Sequence, residues 1–126
     1  MISSRPNILV ILSDEQRWDT LGCYGQALPV TPNLDRLAAE GVRFANAFSC
    51  QPLCGPARSC IQTGRYASET GCTANNIALP PGVPTIADHL TEADYETAYV
   101  GKWHLASNSH EGDECYWTRP IPSERR

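Results

Sequence analysis

The segment Asn7 to Leu12 (NILVIL) constrains the fold of this chain more than any other feature. From Ile8 onward it is wholly apolar, it follows Pro6, and after Ser13 it runs into Asp14 and Glu15. A strand with one wet face alternates apolar and polar residues, so an unbroken run predicts a strand covered on both faces. Strands of that kind belong to parallel sheets, which need crossover helices. Ile8 to Leu12 is also the longest apolar run in the chain. It falls far short of the roughly 20 residues that span a bilayer, so no membrane partner is expected. It is too short for a secretory core, and the expected compartment is the cytoplasm.

The crossover helices are marked in the sequence. Thr31 as N-cap, Pro32 at the first helical position and Gly41 as C-cap bracket the first. Pro56 opens a second that runs through Thr63 and stops at Gly64, which puts Cys54 at or just before its start. Thr85 caps a third, through Ala93. Val42 to Phe48 alternates large and small residues and reads as a short strand, and Glu96 to Gly101 reads as a strand returning to the sheet. Residues 64–82 are rich in turn formers and read as surface loop, while 106–126 show no period and read as irregular. The alternation of strands and helices assigns the α/β class.

Leu, Ile, Val and Phe make up only 24 of 126 residues, beside 10 Pro and 9 Gly. That is a thin supply for a self-contained core, and the chain is expected to be part of a larger domain. Ten Lys and Arg against 14 Asp and Glu, a formal net charge of -4, remove the basic footprint of a nucleic-acid binder. Six cysteines in an unexported chain are expected to be reduced, and Cys50, Cys54, Cys60 and Cys72 include no C-x-x-C pair that would build a zinc site.

Three groups of residues carry chemistry. Asp14 and Glu15 stand beyond the carboxyl end of the apolar strand, where ligands of open α/β sheets sit, and are hard oxygen donors for Ca2+, Mg2+ or Mn2+. The alternative is an acidic surface turn. Cys54 lies at a helix start four residues before Arg58, in a field that stabilises negative charge and suits a nucleophile. The alternative is an inert thiol in a capping loop. Lys102, the only lysine in the chain, is two residues from His104, and alternation along an extended segment puts both on one side, as an oxyanion such as sulfate or phosphate would require. The alternative is a strand end anchored by Trp103.

The stretch Cys54-Gly55-Pro56-Ala57-Arg58, followed after four residues by Thr63-Gly64, resembles the sulfatase motif C-x-P-x-R…T-G. Gly101-Lys102-Trp103-His104-Leu105 resembles the second sulfatase motif, and Arg5 to Arg17 and Thr31 to Phe48 are similar to the sulfatase amino-terminal region. The resemblance implies an α/β, alkaline-phosphatase-like sandwich with a mostly parallel central sheet, of which residues 1–126 form the amino-terminal part. It implies hydrolysis of a small-molecule sulfate ester, after a formylglycine-generating or sulfatase-maturating enzyme has converted Cys54 to formylglycine. One hydroxyl of the hydrated aldehyde attacks sulfur as the alcohol leaves, and the other, once deprotonated, expels sulfate. By the same resemblance Asp14, Glu15 and the formylglycine from Cys54 ligate a divalent cation, commonly Ca2+. Arg58 holds the formylglycine oxygen, and Lys102 and His104 bind sulfate oxygens. The family usually has Asp, or in some members Gln, where this chain has Glu15. Its second metal-binding Asp/Asn pair, another His and another Lys lie in a later region that this sequence does not include. A phosphonate or phosphate monoester hydrolase with the same site, and an inactive truncated module, are the rival readings.

Overall fold

The computed structural model describes residues 5–105 together with the backbone of Tyr116–Trp117. The chain divides into two compact units, Met1–Ala47 and Phe48–Arg126.

In the first unit, helix α1 (Pro32–Glu40) is packed against a short 3₁₀ turn, Gly22–Tyr24, which in turn contacts a second one, Trp18–Thr20. Thr31 occupies the N-cap as expected, but its side chain caps no backbone N–H of the helix and instead donates to the Asp35 carboxylate at 3.2 Å. Its hydroxyl accepts the Gly22 N–H at 2.9 Å, and the Asp35 carboxylate accepts the Cys23 N–H at 2.7 Å. The helix is therefore tied to the preceding turn through these two side chains. A Cβ at position 22 would lie 2.3 Å from an Asp35 oxygen, so any other residue there would push the carboxylate out of place. Tyr24 donates to the Phe44 carbonyl at 2.7 Å, with the Arg43 guanidinium 4.7 Å from its ring centroid and Trp18 edge-on at 6.0 Å.

Neither strand expected in this unit forms. Residues 7–12 and 42–48 enter no ladder, and the side chains of Ile8 to Leu12 are 51 to 84 % exposed. The reason is physical: a strand is stabilised by a hydrogen-bonded neighbour and by something to cover its faces, and the described residues supply neither to this run.

The second unit is organised around helix α2 (Cys54–Thr63), which buries Gly55, Pro56, Arg58, Ser59 and Cys60. It packs on the short helix α3 (Ala67–Thr70) through a buried Ser59–Thr70 hydroxyl pair 2.9 Å apart. Gly64 closes α2 in the left-handed region at φ 66, and its N–H bonds the Cys60 carbonyl at 2.8 Å. Residues 64–82 are thus not simply surface loop: Ala67 and Cys72 are fully buried and Thr70 nearly so. Turn-forming residues here build a tight helical turn whose small side chains fit against α2. Helix α4 (Ile86–Glu92) starts as expected at Thr85, whose hydroxyl accepts the Asp88 N–H while Asp88 accepts the Thr85 N–H at 2.8 Å.

The sheet among the described residues is two-stranded and antiparallel. β1 (Gly101–Lys102) pairs with β2 (Tyr116–Trp117), Gly101 opposite Trp117 and Lys102 opposite Tyr116. The returning strand expected over 96–101 is reduced to its last residue plus Lys102, and the parallel sheet is not among these elements. β2 falls in 106–126, where the sequence shows no period; the rest of that stretch lies outside the described residues. The buried apolar set of Cys60, Ala67, Cys72 and Leu105 is made mostly of small residues, in keeping with the low Leu, Ile, Val and Phe count.

Candidate active site

Cys54 is the first residue of α2, two positions earlier in the helix than Pro56 alone would predict. The N-cap, Leu53, offers no side-chain acceptor to the first turn. Asn75 supplies one from the far side of the following loop. Its Oδ1 accepts the Gly55 N–H at 2.9 Å and the Cys54 thiol at 3.4 Å. Pro56 has no N–H to satisfy and Ala57 donates to the Leu53 carbonyl at 2.9 Å, so this one amide serves the buried part of the helix start. The fit is close, since a Cβ on Gly55 would meet Asn75 Oδ1 at 3.0 Å.

Arg58 follows Cys54 by one helical turn, on the same face. It is 7 % exposed, and its Nη1 donates to the Lys102 carbonyl at 2.7 Å and to the Tyr99 hydroxyl at 3.4 Å. Tyr99 itself donates to the Lys102 carbonyl at 2.5 Å and stands edge-on to Trp103, ring centroids 5.1 Å apart. The two sequence motifs are therefore joined through this carbonyl. A buried guanidinium on a backbone carbonyl is a charge-assisted contact, and it fixes where β1 ends relative to α2.

Lys102 and His104 are both half-buried. They do not share a face by simple alternation, because extended geometry stops between them: His104 has φ 59, in the left-handed region. Four non-glycine residues among those described have positive φ, and two of them are the candidate site residues His104 and Glu15, the latter at φ 54. Holding a non-glycine residue there costs roughly 1–2 kcal/mol, a strain that concentrates at functional positions.

Asp14 and Glu15 belong to the first unit, as an exposed bend after residues 7–12. Their carboxylate chemistry fits a hard cation such as Ca2+ or Mg2+. Two neighbouring carboxylates are nevertheless fewer than the six to eight oxygens such an ion takes, and no group of three or more His, Cys, Asp or Glu comes together as a metal site among the described residues. Cys60, without a place in either motif, is buried within α2, and that burial raises its thiol above the usual range.

Asn75 and Tyr99 are the site residues that the sequence reading missed. Each acts across 20 or more positions on a helix or a second motif, and no local pattern marks such a role.

Residues 6–120 match the sulfatase family model. The chain is 42% identical over 112 residues to the uncharacterized sulfatase YidJ of Escherichia coli (strain K12), covering 88% of this chain and 22% of that protein. It is 42% identical over 105 residues to the N-acetylglucosamine-6-O-sulfatase of Bacteroides thetaiotaomicron, covering 83% and 19%. Among solved structures it is similar to BT4656 in complex with its substrate D-glucosamine-2-N,6-O-disulfate, with 44% identity, a TM-score of 0.67, and coverage of 71% of this chain and 18% of that one. It is also similar to the putative sulfatase yidJ from Bacteroides fragilis, with 36% identity, a TM-score of 0.66, and coverage of 75% and 22%. The chain thus spans about a fifth of the length of these relatives, whose fold is alkaline-phosphatase-like. A thiol at the start of α2, an arginine one turn later tied to the second motif, and this likeness over most of its length lead to one conclusion: the chain belongs to the sulfatase family.

Proposed function

We propose that this chain carries the nucleophile-bearing part of a sulfatase active site, and that the reaction is hydrolysis of a small-molecule sulfate ester by a formylglycine made from Cys54. The observation that supports this most directly is the link from α2 to the second motif, with Arg58 bonded to the Lys102 carbonyl in a sulfatase-family chain. It puts the Cys54 helix and the Lys102–His104 segment in one arrangement.

In this reading the hydrated aldehyde at position 54 supplies an oxygen nucleophile together with a second hydroxyl through which sulfate is released. Asn75 orients the start of α2, and Arg58 offers positive charge to the oxygen at position 54. Lys102 neutralises sulfate oxygens, and His104 donates a hydrogen bond to them or a proton to the leaving alcohol oxygen. Asp14 and Glu15, with the residue at 54, would hold a divalent cation, Ca2+ in preference to Mg2+ or Mn2+, which would supply Lewis acidity. The maturation partner is a formylglycine-generating or sulfatase-maturating enzyme. On this proposal residues 7–12 and 96–101, which pair with no parallel neighbour among the described residues, become strands of a mostly parallel central sheet where further chain supplies those neighbours.

The test has two stages. Full-length protein co-produced with a formylglycine-generating enzyme is examined by peptide mass spectrometry for a loss of about 18 Da at Cys54, the thiol-to-aldehyde change. The matured protein is then assayed for sulfate and phosphate release from matched aryl esters, with and without a chelator. Sulfate release that stops on chelation and returns with Ca2+ is expected. Matured protein that released only phosphate, or nothing, would overturn the proposal.

A further inference from the structure

The side chain at position 54 faces a hydrogen-bond acceptor, and the backbone beside it fixes which end of Asn75 that is. An asparagine amide carries an oxygen with two lone pairs on one side and two N–H donors on the other. The Gly55 N–H, 2.9 Å from Asn75 Oδ1, can only donate, so the oxygen has to be the atom turned towards the start of α2. With the amide turned over, donor would face donor. Room for another arrangement is small, since a Cβ at the buried position 55 would also lie 3.4 Å from the Asn75 Cα. One lone pair of Oδ1 serves Gly55, and the Cys54 thiol reaches the other at 3.4 Å.

We propose that Asn75 holds residue 54, once it is formylglycine, as the aldehyde hydrate in preference to the free aldehyde. The proposal rests on the formylglycine reading of Cys54. In hydration the water oxygen bonds to the carbonyl carbon, the C=O double bond becomes a single bond, and one water proton ends on the former carbonyl oxygen. One carbon then carries two hydroxyls. The two forms present different atoms to Asn75. An aldehyde oxygen only accepts, so beside Oδ1 it sets lone pairs against lone pairs and leaves that acceptor without a donor. A hydrate hydroxyl brings the hydrogen that the thiol supplies in this structure, and an O–H is a stronger donor than an S–H. The amide oxygen accepts that hydrogen bond without removing the proton, so the hydroxyl it holds stays a hydroxyl and the other is left to attack sulfur. Asn75 thus does more than cap α2: it touches the reacting group and selects its resting form.

Carbon-13 NMR reads the two forms directly and requires no turnover. Full-length protein is produced with cysteine labelled at Cβ, together with a formylglycine-generating enzyme, and the thiol, aldehyde and hydrate carbons give separate signals. The hydrate-to-aldehyde ratio of the folded protein is expected to exceed that of the same protein in urea by roughly 2- to 12-fold, the effect of one net hydrogen bond. Asn75→Asp keeps an oxygen acceptor and should retain the excess. Asn75→Ala, checked by circular dichroism to be folded, should lose most of it, whereas a role confined to capping the Gly55 N–H would leave the ratio unchanged. A folded parent whose ratio is no higher than in urea would overturn the proposal whether or not Asn75→Ala folds, and so would a folded Asn75→Ala that matches the parent. Both results leave formylglycine in place and the sulfatase reading standing. Absence of any aldehyde or hydrate carbon would overturn the formylglycine reading itself, and the proposal with it.

Discussion

Asn75 allows the sharpest test of how this site is built. Helix α2 begins at Cys54 without a side-chain cap from Leu53, and the buried Gly55 N–H is served by Asn75 Oδ1 at 2.9 Å. Replacing Asn75 by Ala removes the acceptor and leaves a buried donor unsatisfied, which costs about 1–3 kcal/mol. A mid-range loss of about 2 kcal/mol corresponds to roughly 30-fold in the folding equilibrium. Asn75→Asp keeps an oxygen at the same place and adds negative charge at the positive end of the helix, so it should stay within about 0.5 kcal/mol of the parent. Urea unfolding followed by far-ultraviolet circular dichroism measures both. The rate of Cys54 alkylation in the native state gives a second reading, expected to rise in Asn75→Ala because the thiol loses its 3.4 Å contact. If Ala cost less than about 0.5 kcal/mol, or if Asp were as destabilising as Ala, the remote cap would not be what holds Cys54 in place.

Three further outcomes are expected. Arg58→Lys replaces a planar fork with one ammonium and breaks the paired contact with the Lys102 carbonyl and Tyr99; sulfate release by the matured protein should fall roughly 100-fold, measured by initial rates. Thr85→Ala removes the cap of α4 and should cost about 1 kcal/mol in urea unfolding, whereas Thr85→Ser should retain most of it. The folded state holds the Cys60 proton more tightly than an ordinary thiol near pH ~8.5 does, mainly through burial. The unfolded chain therefore binds fewer protons once that pH is passed, and stability falls as pH rises; a urea midpoint series above about pH 8 should show the decline, and Cys60→Ala should flatten it.

Much of the helical framework was legible because helix ends are marked locally. Pro32, Gly41, Gly64 and Thr85 bound their helices within a residue of the expected places, since caps act on backbone groups only three or four positions away. The placing of Cys54 at a helix start with Arg58 one turn later was legible in the same way, from Pro56 and short spacing. The strands were not. An apolar run such as Ile8 to Leu12 states what a segment needs, and only a partner decides whether a ladder forms.

By itself, the sequence determined the family, the helix starts and stops, and the residue types available for chemistry, because each of these depends on identity and short spacing. Tertiary structure alone decided that Asn75 would cap the Cys54 helix from 20 residues away and that Arg58 would reach the Lys102 carbonyl. It also decided that the backbone would turn left-handed at Glu15 and His104. Those contacts depend on where the chain returns in space, which is settled by packing among small buried residues rather than by any local pattern.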